Sequence, residues 1–89
     1  MIVMNASALV VSNNITVTVS GTPNILYDTV YAQDMSLIMV GPVTFAGTGI
    51  TTARRYYADR LSSIDGYGKG INFIPGGAAG ATTNGGIYA

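Results

Sequence analysis

Only eight of the 89 residues carry a formal charge: four Asp, three Arg and one Lys. An ordinary globular domain is about a quarter charged. A chain with so few charges has to cover its surface with hydroxyl, amide, glycine and apolar groups. Such a surface is poorly protected against sticking to its neighbours. The composition therefore points to a surface that is meant to be covered, on a small β-rich building block of a larger assembly.

Size sharpens the point. A chain of 89 residues is one domain at most. It buries only about 60–65% of its unfolded surface, so its own core is marginal. Small domains usually compensate with disulfides, a metal or oligomerisation. The sequence has no Cys and no His, which removes disulfides and the usual ligands of structural zinc. Oligomerisation is the remedy left. The formal net charge is zero, a state that favours association and disfavours wholesale binding to phosphates. The most apolar window, Ser36-Leu37-Ile38-Met39-Val40, is far shorter than the roughly 20 residues that span a bilayer, so no membrane segment is expected. Met1-Ile2-Val3-Met4-Asn5 lacks the basic start of a signal peptide, so use without Sec export is expected.

Local patterns read mostly as strands. Ile15-Thr16-Val17-Thr18-Val19-Ser20 alternates apolar and hydroxyl side chains, which puts Ile15, Val17 and Val19 on one face and the hydroxyls on the other. Ala8 to Val11 is also β-prone, and Asn13-Asn14 between the two runs predicts a two-residue hairpin turn. Gly21-Thr22-Pro23-Asn24 predicts a further turn. Strands are expected over 25–31, 36–40, 43–46 and 71–74. Thr51 or Thr52 can cap a short helix over 53–62, with Ala53, Tyr57, Leu61 and Ile64 on one apolar face. A strand through Arg55-Tyr56-Tyr57 competes with that reading, because Tyr favours sheets. From Gly76 to Gly86 the chain is built of Gly, Ala, Thr and Asn alone. A segment of that composition cannot order itself, so residues 76–89 are expected to form a C-terminal arm anchored by Ile87 and Tyr88. The fold expected is mainly β over residues 1–75: a small sandwich or barrel of about five or six short strands, with one short helix, open to completion by neighbouring subunits.

The inventory for chemistry is thin. Without His or Cys, the common nucleophile pairs cannot form. Asp28, Asp34, Asp59 and Asp65 lie on separate elements, where a carboxylate pair needs two together. Gly66-Tyr67-Gly68-Lys69-Gly70 lacks the full phosphate-loop pattern and reads as a pliable turn. The expectation is no enzyme, no cofactor, no metal and no small-molecule substrate. Two groupings of side chains remain as interaction candidates. Tyr56, Tyr57, Arg54 and Arg60, with Ile87 and Tyr88 at the end, have the composition of interface anchors. Arg54, Arg55, Arg60 and Lys69, with the tyrosines interleaved, have the composition of a site for single-stranded nucleic acid or another anion.

The Ile15-Thr16-Val17-Thr18-Val19 strand and the Gly/Ala/Thr segment over 76–89 give the chain a compositional style that resembles small structural proteins of bacterial viruses: head-decoration (cement) proteins, minor capsid proteins, and fibre or tail modules. The resemblance implies a non-enzymatic structural subunit, made in the host cytoplasm and located in the virion. It implies strand pairing and an arm that act on copies of the same chain or on other capsid or tail subunits. The competing reading is a small binding module for nucleic acid or another anion.

Overall fold

The computed structural model describes residues 2–19, 27–47, 50 and 52–89. The turn expected at Gly21-Thr22-Pro23-Asn24, together with Ile25, Leu26 and Thr51, lies outside the described residues. Ten strands are present: β1 (Ile2–Asn5), β2 (Ala8–Val10), β3 (Ile15–Thr18), β4 (Asp28–Gln33), β5 (Leu37–Met39), β6 (Val43–Ala46), β7 (Arg54–Ala58), β8 (Ser63–Asp65), β9 (Ala81–Thr82) and β10 (Ile87–Tyr88). Every pairing among them is parallel. Two four-stranded sheets run β1-β4-β7-β9 and β2-β5-β8-β10, and β3 pairs with β6.

Neighbouring strands in these sheets are never consecutive in the chain. Ile2 pairs with Val30, Val30 with Tyr56, and Tyr57 with Ala81. Ala8 pairs with Leu37, Leu37 with Ser63, and Ser63 with Ile87. Each strand thus lies beside its counterpart one coil later. The chain winds as a parallel β-solenoid, with successive coils stacked about 4.8 Å apart in the hydrogen-bonding direction.

One corner repeats in every coil. Between the first and second strands of a coil the backbone enters the left-handed region, at Ala6, at Asp34 and Met35, at Arg60 and Leu61, and at Asn84 and Gly85. Residues other than glycine adopt this conformation at a cost, and here each corner bonds to the next. Met35 N–H donates to the Arg60 carbonyl and Leu61 N–H to the Asn84 carbonyl, both at 3.0 Å. A serine column follows directly. Ser7 N–H donates to Ser36 Oγ at 3.3 Å, Ser36 N–H donates to Ser62 Oγ at 3.0 Å, and Ser36 Oγ donates to the Gln33 carbonyl at 2.6 Å. Ser36 and Ser62 are both buried, so these bonds satisfy groups that water cannot reach.

Inside the coils, equivalent positions stack. Leu9, Ile38, Ile64 and Tyr88 share one register column, and Met4, Ala32, Ala58 and Thr82 another. Val30, Val40, Val43, Tyr56 and Ile74 complete the buried core. Tyr56 and Tyr88 stack face to face with ring centroids 3.8 Å apart, and Phe73 meets Phe45 edge-on at 5.2 Å.

Several expectations are corrected. The chain is mainly β, but no helix forms at 53–62: Arg54–Ala58 is β7, followed by a corner and β8. Ala53 and Ile64 are buried while Leu61 is exposed, because the corner shifts the two-residue alternation and so mimics a helical spacing. The competing strand through Arg55-Tyr56-Tyr57 is the one that forms. No hairpin joins β2 to β3; each pairs with the strand one coil later. The sheets are the faces of a solenoid, each strand coming from a different coil, and not those of a sandwich or a closed barrel.

Residues 76–89 are the last coil, held by Gly77 N–H to the Ala53 carbonyl at 2.8 Å, Thr83 N–H to the Ala58 carbonyl at 2.9 Å and Ala89 N–H to the Ile64 carbonyl at 3.0 Å. Their small side chains follow from close packing. A Cβ on Gly80 would overlap the Tyr56 ring, and one on Gly86 would overlap the Ala58 carbonyl.

Replacing Ser62 by Ala leaves the Ser36 amide buried without its acceptor. The expected loss is about 1–3 kcal/mol, read from urea unfolding, with the far-ultraviolet circular dichroism of the folded state unchanged.

Candidate functional site

All eight charged residues fall between Asp28 and Lys69; residues 1–27 and 70–89 carry none. The charges therefore sit on the middle coils, and both the first and the last coil are bare of them.

Within the middle, the cations are engaged by their own chain. Arg54 forks onto Asp28, with Nε at 2.5 Å from Oδ1 and Nη2 at 3.2 Å from Oδ2. The Asp28 side chain is only 2% exposed. The Arg54 guanidinium also lies 4.0 Å above the Tyr57 ring, and Tyr57 packs against Tyr31 at 5.2 Å. Arg55 turns to a different part of the surface, donating to Asn72 Oδ1 at 3.3 Å and to the Gly76 carbonyl. Arg60 meets Asp34 at 3.1 Å and Asp59 at 3.7 Å. Lys69 donates to the Gly41 carbonyl and sits 4.9 Å over Phe73. Arg54, Arg55, Arg60 and Lys69 thus do not converge on one site.

Among the interface candidates, Tyr56 is buried in the core and Tyr88 points inward against it, its hydroxyl donating to the Gly70 carbonyl at 2.8 Å. Burial pushes the Tyr88 hydroxyl above its ordinary pKa. Tyr57, Arg54 and Arg60 lie on the outer surface in the contacts just given, and Ile87 is exposed on the last coil.

Asp59 ties the last coil to the third. Asn84 Nδ2 donates to its Oδ1 at 2.7 Å and Thr83 Oγ1 at 2.8 Å, while Thr83 Oγ1 also lies 2.9 Å from the Tyr57 hydroxyl. These two hydrogen bonds, Asn84 first, hold the Asp59 carboxyl below its ordinary pKa.

The largest feature that sequence reasoning missed is the first coil. Its strands β1, β2 and β3 have no partner on their outer edge among the described residues. Val3, Val10, Ile15 and Val17 are 52, 55, 46 and 40% exposed. Ile15, Val17 and Val19 do share one face, as their alternation indicates, and that face looks into the coil. With Leu9, Val40 and Phe45 they line an apolar cavity of about 270 Å³. The signal in the sequence was the charge-free stretch over 1–27. No helix among the described residues is long and apolar enough to cross a membrane. Comparison with protein-family models, curated proteins and solved structures finds no match.

Arg54→Ala removes the cation that pairs with the buried Asp28 carboxylate. The expected loss is up to about 3 kcal/mol, the lower end of the range for breaking a buried pair because Arg54 is partly exposed, measured by chemical denaturation. The depressed pKa of Asp59 stabilises the fold above the ordinary carboxylate range. That contribution is lost as pH falls through the lower folded-state value, below about 4. Amide exchange at Thr83 and Asn84 is therefore expected to lose protection as pH falls through that window, once corrected for the intrinsic rate, and Asp59→Asn is expected to flatten the dependence.

Proposed function

We propose that this protein is a non-enzymatic structural subunit of a multi-subunit assembly, acting in a viral particle as a capsid-decoration, minor capsid, fibre or tail component. The observation that carries the reading is the first coil: a parallel sheet edge without charge, with exposed Val3 and Val10 and an apolar cavity behind it. An unprotected edge of this kind recruits another chain by strand addition. The first and last coils carry no charged side chain. Copies of the same chain or other capsid or tail subunits are the partners, and the virion, assembled in the host cytoplasm, is the location. The unpaired outer edge of β1, β2 and β3 supports the reading that neighbouring subunits complete the fold.

Nucleic-acid binding through Arg54, Arg55, Arg60 and Lys69 has less support, since each cation already has an acceptor or carboxylate of its own chain. Light scattering at low and high salt, with a parallel titration of a fluorescent single-stranded oligonucleotide, separates the two. A mass above the 9.2 kDa of one chain, maintained or raised at high salt, is expected, because apolar association strengthens as salting-out rises. A monomer that takes up the oligonucleotide at low salt and releases it at high salt would overturn the proposal.

A further inference from the structure

We infer that the partner of the first-coil edge is the last coil of a second copy, so that chains stack head to tail along the solenoid axis. The inference rests on the assembly reading above and adds the identity of the partner and the direction of contact.

Three observations carry it. The first is topological. The sheet β1-β4-β7-β9 and the sheet β2-β5-β8-β10 both end at the same two places, β1 and β2 at one end and β9 and β10 at the other. All strands of a sheet point the same way, so a copy shifted along the axis offers β9 to β1 and β10 to β2 in the parallel sense already used within the chain. The register columns continue as well: Met4 of the next copy follows Thr82, and Leu9 follows Tyr88.

The second observation is electrostatic. Both end coils are free of charge and all eight charges lie between them. Stacking end on end therefore brings no charged side chain into the contact, and it lies over the edge beside exposed Val3 and Val10 and over the open interior at Ile15 and Val17. Side-by-side packing would press the charged middle coils together.

The third is the difference between the ends. At the first coil, Ile15 and Val17 face inward and are still open to solvent, beside the apolar cavity. At the last coil the interior is filled by the Tyr56–Tyr88 stack, with Gly80 tight against the Tyr56 ring. An open end and a filled end fit each other. Two first coils facing across a two-fold axis would oppose two open cavities, with nothing to fill either. Contacts of this head-to-tail kind do not close on themselves unless a rotation brings them round, so they extend into a filament or a ring.

The test uses two variants of the full chain. Ile15→Lys with Val17→Lys places ammonium groups where a stacked copy would bury them, and both positions are open enough in the single chain for the lysines to reach water. Thr82→Lys with Ile87→Lys does the same at the other end. Wild-type protein is expected to gain mass with concentration by light scattering. Each variant alone is expected to remain at the 9.2 kDa of a single chain. An equimolar mixture is expected to double that mass, because each variant keeps the end that the other lacks. The mixture also reports folding, since a variant that had failed to fold could not complement. A dimer formed by the Thr82→Lys, Ile87→Lys variant alone would mean pairing of first coils with each other, and would overturn the head-to-tail direction while leaving the assembly reading in place. A mixture of two folded variants that stays monomeric while wild type associates would overturn it too, placing the contact on another face. Wild-type protein monomeric at every concentration would overturn the second copy as the partner. Oligonucleotide uptake by that monomer would remove the assembly reading with it; no uptake would leave a different protein as the occupant.

Discussion

The recurring corner between the first and second strands of each coil is what the rest of the molecule depends on. It places Ala6, Asp34, Met35, Arg60, Leu61 and Asn84 in the left-handed region, a conformation that costs about 1–2 kcal/mol at each such residue. Isolated, that would be a poor way to build a turn. Stacked, each corner supplies the hydrogen-bond acceptors of the one before it, through Ala6 to Gln33, Met35 to Arg60 and Leu61 to Asn84. The serines just beyond lock the register, since a slip of one residue would take Ser36 Oγ from the Ser7 amide and Ser62 Oγ from the buried Ser36 amide and turn every core side chain outward. The coil diameter, the stacking of Ile38 on Ile64 and the parallel sense of the sheets all follow from that column.

The mainly β character was legible in the sequence, and so was the facing of Ile15, Val17 and Val19, because a two-residue alternation survives in any β architecture; the strand expected over 71–74 does not form. The solenoid was not. Its repeat is present in Ala32-Gln33-Asp34-Met35-Ser36-Leu37-Ile38 and Ala58-Asp59-Arg60-Leu61-Ser62-Ser63-Ile64, which share Ala, a large apolar residue, Ser and Ile at the same spacing. Only these two coils carry it clearly. The first coil has Ser7 and Leu9 but is one residue shorter at the corner, and the last has Gly86 in place of the serine because the backbone of Ala58 lies too close for a side chain. The same close packing gave residues 76–89 the look of a chain that cannot fold, when their ordering rests on bonds to the coil beneath. The apparent helical face of Ala53, Tyr57, Leu61 and Ile64 arose because a corner between two strands resets the alternation.

Charge placement follows the coils. On the middle coils Arg54 pairs with Asp28 and Arg60 lies between Asp34 and Asp59, while Arg55 and Lys69 donate to backbone carbonyls. The first and last coils carry no charged side chain. The low charge content that dominates the composition is a property of the first and last coils.

The parallel coil itself is tested most directly by nuclear Overhauser contacts between backbone protons in isotopically labelled protein. Contacts linking Met4 to Ala32, Ala32 to Ala58 and Ser36 to Ser62 are the expected result, since parallel strands bring these positions to about 4.8 Å. Contacts linking Val11 to Thr16 across an Asn13-Asn14 turn, without those between successive coils, would contradict the solenoid and the end-to-end contact built on it.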